Sequence, residues 1–120
     1  MLPPMDSPDK RLTLMQGTLD LLILRTLLFG PQHGQGIARA IHKTSDEELL
    51  VEHGALYPAL QRLEDKRLTS AEWGVSKNNR KARFYKITAS GRARLDRERA
   101  RWQRMTRAIG KVLDAWESKA

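Results

Sequence analysis

The stretch His53-Gly54-Ala55-Leu56-Tyr57-Pro58-Ala59-Leu60-Gln61-Arg62-Leu63-Glu64-Asp65-Lys66 separates into two faces when wound as a helix. Leu56, Leu60 and Leu63 fall at i, i+4 and i+7, which is one side of a helix. The other side carries Gly54, Tyr57, Pro58, Gln61, Arg62 and Asp65. In a helix interior Pro58 would clash with the carbonyl of residue 54. Its place near the helix start, opposite Gly54, makes it tolerable. The spacing therefore predicts a helix over 53–66 that buries leucine and keeps a polar face free.

On the C-terminal side two short strands are expected, over 68–73 and 82–87. Between them lies Gly74-Val75-Ser76-Lys77-Asn78-Asn79-Arg80-Lys81, polar, basic and rich in turn formers. This reads as a β-hairpin with a basic tip. Trp73 ends its first strand and is expected to pack against the last helix. Thr88 has the chemistry of an N-cap, and a helix is predicted over 89–116. Leu95, Trp102, Met105, Ile109, Val112 and Trp116 recur at steps of three and four, with Glu98 in one heptad position. Such a seam is of the coiled-coil type. The polar faces hold Arg92, Arg94, Arg97, Arg99, Arg101, Arg104 and Arg107, with Asp96 and Glu98 as local partners.

On the N-terminal side, residues 16–29 form an almost wholly apolar helix with Leu19, Leu22, Ile23 and Leu27, which marks burial on several sides. Gly30-Pro31 stops it. The glycine-rich turn 30–36 resembles a phosphate-cradling loop only superficially, because no Lys-Ser/Thr follows and no strand precedes it. A short helix is expected over 36–43, a polar linker over 45–48 and a short edge strand at Leu49-Leu50-Val51. Residues 1–13, with three prolines, read as a flexible arm.

Three helices, a hairpin and a long last helix make a mainly α chain with a small β-hairpin. This is the layout of a winged helix-turn-helix over 14–88 followed by a dimerisation helix over 89–120. Charge agrees with it. The net charge is +8, yet residues 1–60 hold 5 basic and 7 acidic side chains, and residues 61–120 hold 17 and 7. The second half is built to meet a polyanion, although a solvated basic surface has the same composition. In 120 residues there is no cysteine, so a disulfide scaffold, a thiolate zinc site and a catalytic thiol are excluded. His33, His42 and His53 make no HExxH pair, so no metal and no cofactor are expected. No apolar run approaches the ~18 residues of a membrane span, and the N-terminus has no secretory pattern. A soluble cytoplasmic protein is the expectation. No nucleophile motif or carboxylate pair suggests an enzyme.

Three stretches resemble a known family, the PadR-like transcriptional regulators in their short form with one C-terminal helix. Gly17-Thr18-Leu19-Asp20-Leu21-Leu22-Ile23-Leu24 is similar to the family's first helix. Gly54 to Glu64 resembles its recognition helix, which usually begins Gly-Thr/Ser-Leu-Tyr-Pro and ends Arg-Leu-Glu. Phe84-Tyr85-Lys86-Ile87-Thr88-Ala89-Ser90-Gly91 resembles its wing-to-helix junction. The resemblance covers about Leu14 to Leu113. It implies a homodimeric DNA-binding regulator, most often a repressor, released by a small molecule. Three positions depart from the pattern: Ala55 where Thr or Ser is usual, Arg67 where Gly commonly closes the recognition helix, and Gln35 where His or an aromatic residue is common. A left-handed Arg67 would carry strain of about 1–2 kcal/mol.

On this reading His53, Gly54, Tyr57, Pro58, Gln61 and Arg62 face double-stranded DNA from the recognition helix, and Lys77, Arg80, Lys81 and Arg83 face phosphate from the wing. Gln61 offers a donor and an acceptor together, which suits adenine. Arg62 either reaches phosphate or pairs with a neighbouring acid. The seam makes a homodimer on a pseudo-palindromic site, with the first helix contributing. Trp102 lies eleven residues after Gly91 on that seam. A planar aromatic or apolar effector is expected to stack there between subunits, in a region that resembles the effector site of some family members; the alternative is that two Trp102 rings pack on each other. A basic RNA-binding or protein-interaction winged helix remains the other functional reading.

Overall fold

The computed structural model describes residues 12–13 and 16–119, with side chains over 17–115. In chain order the elements are β1 (Leu12–Thr13), α1 (Gln16–Thr26) with a 3-10 turn (Leu27–Phe29), β2 (Gln32–His33), α2 (Gly34–Thr44), β3 (Leu49–Leu50), α3 (His53–Asp65), β4 (Thr69–Val75), β5 (Lys81–Ile87) and α4 (Ala89–Lys119). This is a winged helix fold with a long terminal helix.

The core is supplied by one face of each element. Leu19, Ile23, Leu24 and Leu27 meet Ile37 and Ile41 of α2 and Leu56, Ala59, Leu60 and Leu63 of α3. Leu68, Tyr85 and Ile87 close it from the sheet side. Burial of each large apolar side chain stabilises the fold by roughly 1.5–3 kcal/mol. Pro58 sits inside α3 as expected. It and Gly54 are both exposed, so the carbonyl it leaves unpaired lies on the solvent side.

The wing has three strands rather than two, in the order β2-β5-β4. β4 and β5 pair antiparallel from Thr69↔Ile87 to Val75↔Lys81. β2 adds Gln32↔Tyr85 and His33↔Phe84 on the far edge. The glycine-rich turn is thus partly a strand and partly the start of α2. The His33 ring caps that helix, its Nδ1 accepting from the Gly36 amide at 3.1 Å. A Cβ on Gly36 would lie 2.3 Å from the Gln32 side chain, which would have to move aside for any larger residue. Leu12 and Thr13, placed in the arm by the sequence reading, pair in parallel with Leu49 and Leu50. The rest of the proposed arm lies outside the described residues.

α3 ends as the departure at Arg67 suggested. Arg67 has φ 60°. Its amide donates to the Glu64 carbonyl at 2.9 Å, and the Leu68 amide donates to the Leu63 carbonyl at 2.9 Å. These two bonds are the Schellman closure, in which the left-handed position favours glycine. The sequence places arginine there, and the strain is accepted.

α4 differs from the expected seam at one end. Leu95 is 2 % exposed and belongs to the domain core beside α1. It is a domain residue because α4 is still packed on α1 for its first two turns. Every described side chain from 99 to 115 is exposed except Gly110. Trp102, Met105, Ile109, Val112 and Leu113 are the large apolar residues among them. The Trp116 side chain lies outside the described residues.

Candidate nucleic-acid interface

The outward side of α3 holds the residues expected there. His53, Gly54, Tyr57, Pro58 and Gln61 are all exposed. The i, i+4 spacing aligns His53, Tyr57 and Gln61 in one row. The His53 and Tyr57 rings meet edge to face at 6.0 Å, and Gln61 Nε2 donates to Asp65 Oδ1 at 2.9 Å. Tyr57 reaches back over the start of α2, where a Cβ on Gly34 would lie 3.0 Å from its ring. A larger residue at 34 would press on the ring.

Between α3, the N-terminal end of α2 and the wing lies an open cleft of about 390 Å³. Its cations are Arg39, Lys77, Arg80, Lys81 and Arg83, and none of its lining residues is acidic. The wing tip is shaped by Asn79 at φ 59° and by the Ser76 amide donating to the Arg80 carbonyl at 2.8 Å. This turn projects Lys77, Arg80 and Lys81 into solvent.

Two of the expected DNA-facing arginines are engaged within the protein. Arg62 is turned toward α1, where Nη2 meets Asp20 Oδ1 at 2.9 Å. It ties two helices together instead of being presented with Tyr57 and Gln61, because residue 62 lies at the edge of the buried stripe next to Leu63. Arg83 lines the cleft, yet its Nη2 meets Glu64 Oε2 of α3 at 2.6 Å, and its guanidinium lies 5.9 Å from the Tyr85 ring. It fixes the angle between wing and α3. On α4, neither Asp96 nor Glu98 forms an ion pair with the arginines among the described residues.

Among the cleft residues that the sequence did not point to, Arg39 and Trp73 bear most on binding. Arg39 comes from the exposed side of α2, 14 positions before His53, and only the tertiary fold brings it there. Trp73 does not pack against α4. It is 64 % exposed and lines the cleft, with Lys81 Nζ 5.0 Å from its ring centroid. Thr69 and Ala71 share its side of the strand and face inward, but by residue 73 the strand has run past the helices.

A family model described as the PadR-like transcriptional regulator family matches residues 23–97. The chain belongs to the PadR-like family. An uncharacterised protein of Lysinibacillus sphaericus is 28% identical over 107 residues, covering 89% of this chain and 98% of the relative. A transcriptional regulator from Clostridium thermocellum superposes with a TM-score of 0.72 at 26% identity, covering 79% of this chain and 92% of that one. A PadR family transcriptional regulator from Eggerthella lenta gives 0.68 at 28% identity, covering 82% and 83%. This PadR-like chain is a DNA-binding transcriptional regulator by family. Among the described residues no helix is long and apolar enough to cross a membrane.

Proposed function

We propose that this PadR-like regulator binds a pseudo-palindromic duplex as a homodimer and represses transcription until a small molecule releases it. The cleft that carries five cations and no acid supports the reading most directly. A duplex is a dense polyanion, and phosphate contacts set position while base edges set sequence. In this assignment Lys77, Arg80 and Lys81 hold phosphate, with Arg39 beside them. Tyr57 and Gln61 face the major groove, with His53, Gly54 and Pro58 allowing close approach. Two recognition helices entering successive grooves on one face sit about 34–36 Å apart.

Dimerisation rests on the α4 stripe of Trp102, Met105, Ile109, Val112 and Leu113, which the single chain leaves in water. Trp102 is 42 % exposed at the point where α4 leaves the domain. An indole there offers a flat face for a planar apolar effector, worth about 0.5–1.5 kcal/mol of stacking beyond burial. A ligand that favours one spacing of the two domains shifts the population toward the DNA-free state.

Binding to duplex DNA and to structured RNA at equal salt tests the first claim, and preference for RNA would overturn it. Gln61→Ala is expected to weaken operator binding more than binding to random duplex; equal losses would remove Gln61 from the base-reading set. Titrating planar aromatics while following tryptophan emission tests the effector site. A saturable change in the parent that Trp102→Phe abolishes is the expected result, and an unchanged response in Trp102→Phe would overturn it.

A further inference from the structure

Trp73 stands where a soluble protein does not ordinarily leave an indole. The register sets its neighbours. Ala71, Trp73 and Val75 lie opposite Tyr85, Arg83 and Lys81, and all six project from the same face of the hairpin. The inner end of that face is covered, since Tyr85 is buried and Arg83 is tied to Glu64 of α3. At the outer end Trp73 and Lys81 are both exposed. They are diagonal neighbours across the two strands, and the ammonium rests 5.0 Å from the ring centroid. Lys81 has no carboxylate partner among the described residues. The hairpin therefore carries an apolar ring and an unneutralised cation already in contact, at the rim of the cleft that also holds Tyr57, Lys77 and Arg80.

We infer that Trp73 and Lys81 form one preassembled contact to the backbone of duplex DNA, the ammonium on a phosphate and the indole ring against the adjoining deoxyribose. The inference rests on the DNA-binding reading of the cleft. The chemistry of the pair matches that of a nucleotide's backbone, in which an anion and an apolar sugar edge are joined by one ester oxygen. A lysine already held over a ring has less freedom to lose when it meets phosphate. The ring adds apolar contact that salt does not screen. The wing so equipped grips DNA in two ways that respond differently to ionic strength.

The separation of those two parts is the test. The probe is a mixed-sequence duplex of about 30 bp, long enough for two half-sites one helical turn apart. Affinity is measured across a salt series for the parent, Trp73→Ala, Trp73→Phe and Lys81→Ala, each checked for an unchanged melting temperature. Trp73→Ala is expected to weaken binding about tenfold at every salt concentration, with Trp73→Phe recovering most of it. Its salt slope should match the parent's. Lys81→Ala is expected to flatten the slope by about 1.8, the share of two phosphates, one for each subunit of the dimer. A Trp73→Ala affinity equal to the parent's overturns the inference. So does a Trp73→Ala slope flattened as in Lys81→Ala, which would mean that the ring only positions the lysine. Failure of the parent to bind any duplex at low salt would instead sink the DNA-binding reading beneath it. Should Trp73→Ala melt early, Trp73→Gln takes its place under the same criteria. As a second readout, Trp73 emission in a Trp102→Phe/Trp116→Phe chain is expected to change saturably with duplex, and a flat titration in a chain that still binds overturns the contact.

Discussion

The Thr88 hydroxyl donates to the Arg67 carbonyl at 2.8 Å, so the first residue beyond the wing grips the residue that closes α3. The same hydroxyl oxygen accepts from the Gly91 amide at 3.0 Å and caps α4. The Thr88 amide donates to the Leu68 carbonyl at 3.1 Å. A Cβ on Gly91 would lie 2.1 Å from that carbonyl oxygen, which shows how closely α4 is drawn in. The long helix and α3 are therefore joined at a junction with no flexible linker. Thr88→Ala removes both the cap and the tether. A loss of about 1–2 kcal/mol is expected, the upper range for a cap, read as a lower urea midpoint at an unchanged slope. Thr88→Ser should recover most of it.

Arg67 supplies a second prediction at the same junction. Its φ of 60° is unfavourable for a residue with a Cβ. Its amide hydrogen bond to Glu64 does not depend on the side chain. Arg67→Gly is expected to raise stability by about 1 kcal/mol, since relief of left-handed strain of about 1–2 kcal/mol exceeds the added freedom of glycine in the unfolded chain. An equal or lower denaturation midpoint would show that the arginine side chain compensates for its backbone.

How much of this was legible in the sequence depends on the range of the interaction. The α3 stripe and the Thr88 cap are local, each decided within about one helical turn, and the sequence carries them openly; an arginine does not announce a left-handed backbone, and Arg67 was suspected only because the family commonly has glycine there. The PadR-like resemblance rests on the same local stretches. β2 was not legible because two residues are too few to show alternation, and the partner of Gln32 lies 53 positions away at Tyr85. The Arg62–Asp20 pair spans 42 positions, and no periodicity announces it. Leu95 continues the α4 stripe in register, so the pattern could not tell a residue packed on its own domain from one exposed beyond it. Trp73 misled for a different reason. A strand's alternation says which side a residue faces, but not whether anything stands on that side.

Arg62 allows a clean separation of an arginine held within the fold from those proposed to meet DNA. Its side chain is 28% exposed and that of Asp20 is 18% exposed. The pair therefore lies between the roughly 1 kcal/mol of an exposed ion pair and the roughly 3 kcal/mol lost when a buried one is broken. Arg62→Ala is expected to lower stability within that range while leaving the salt slope of DNA binding unchanged. The Lys77→Ala/Arg80→Ala variant should do the reverse, flattening the slope by roughly one unit per lost phosphate. A flattened slope for Arg62→Ala would return that arginine to the phosphate contacts.

Tyr85 gives the wing a group sensitive to alkaline pH. Burial pushes its phenol above the ordinary value of 10.0, and the nearby Arg83 guanidinium pulls in the opposite direction without cancelling it. The folded state thus holds its proton to higher pH than the unfolded chain does. Once the pH passes about 10 the unfolded state binds fewer protons than the folded one, and stability falls as pH rises. Below that value the two states are protonated alike and Tyr85 adds no slope. Tyr85→Phe is expected to lose stability less steeply than the parent above pH 10, in denaturant midpoints taken across the alkaline range. Parallel curves would refute the assignment.

The last prediction distinguishes the two ends of the α4 stripe. Leu95 is 2 % exposed within its own domain, whereas Ile109 is 49 % exposed, about 21 Å further along a helix that rises 1.5 Å per residue. Leu95→Ala removes buried methyl groups and leaves a cavity, which destabilises the domain by about 2–5 kcal/mol. Ile109→Asp places a charge on a face that no described residue of the single chain covers, so the domain itself should melt as before. If that face is the dimer seam, two aspartates are brought together in an apolar interface, and burial of a large side chain worth roughly 1.5–3 kcal/mol per subunit is lost as well. The expected result is opposite behaviour in two measurements. Leu95→Ala should lower the denaturation midpoint and remain dimeric where it is folded. Ile109→Asp should sediment as a monomer at micromolar concentration, with the circular dichroism signal of the winged domain retained. DNA affinity should then fall steeply for Ile109→Asp, because a monomer engages one half-site and loses the added effective concentration of the second. An Ile109→Asp variant that sediments like the parent would remove the seam from the dimer, and with it the assignment of the effector to Trp102.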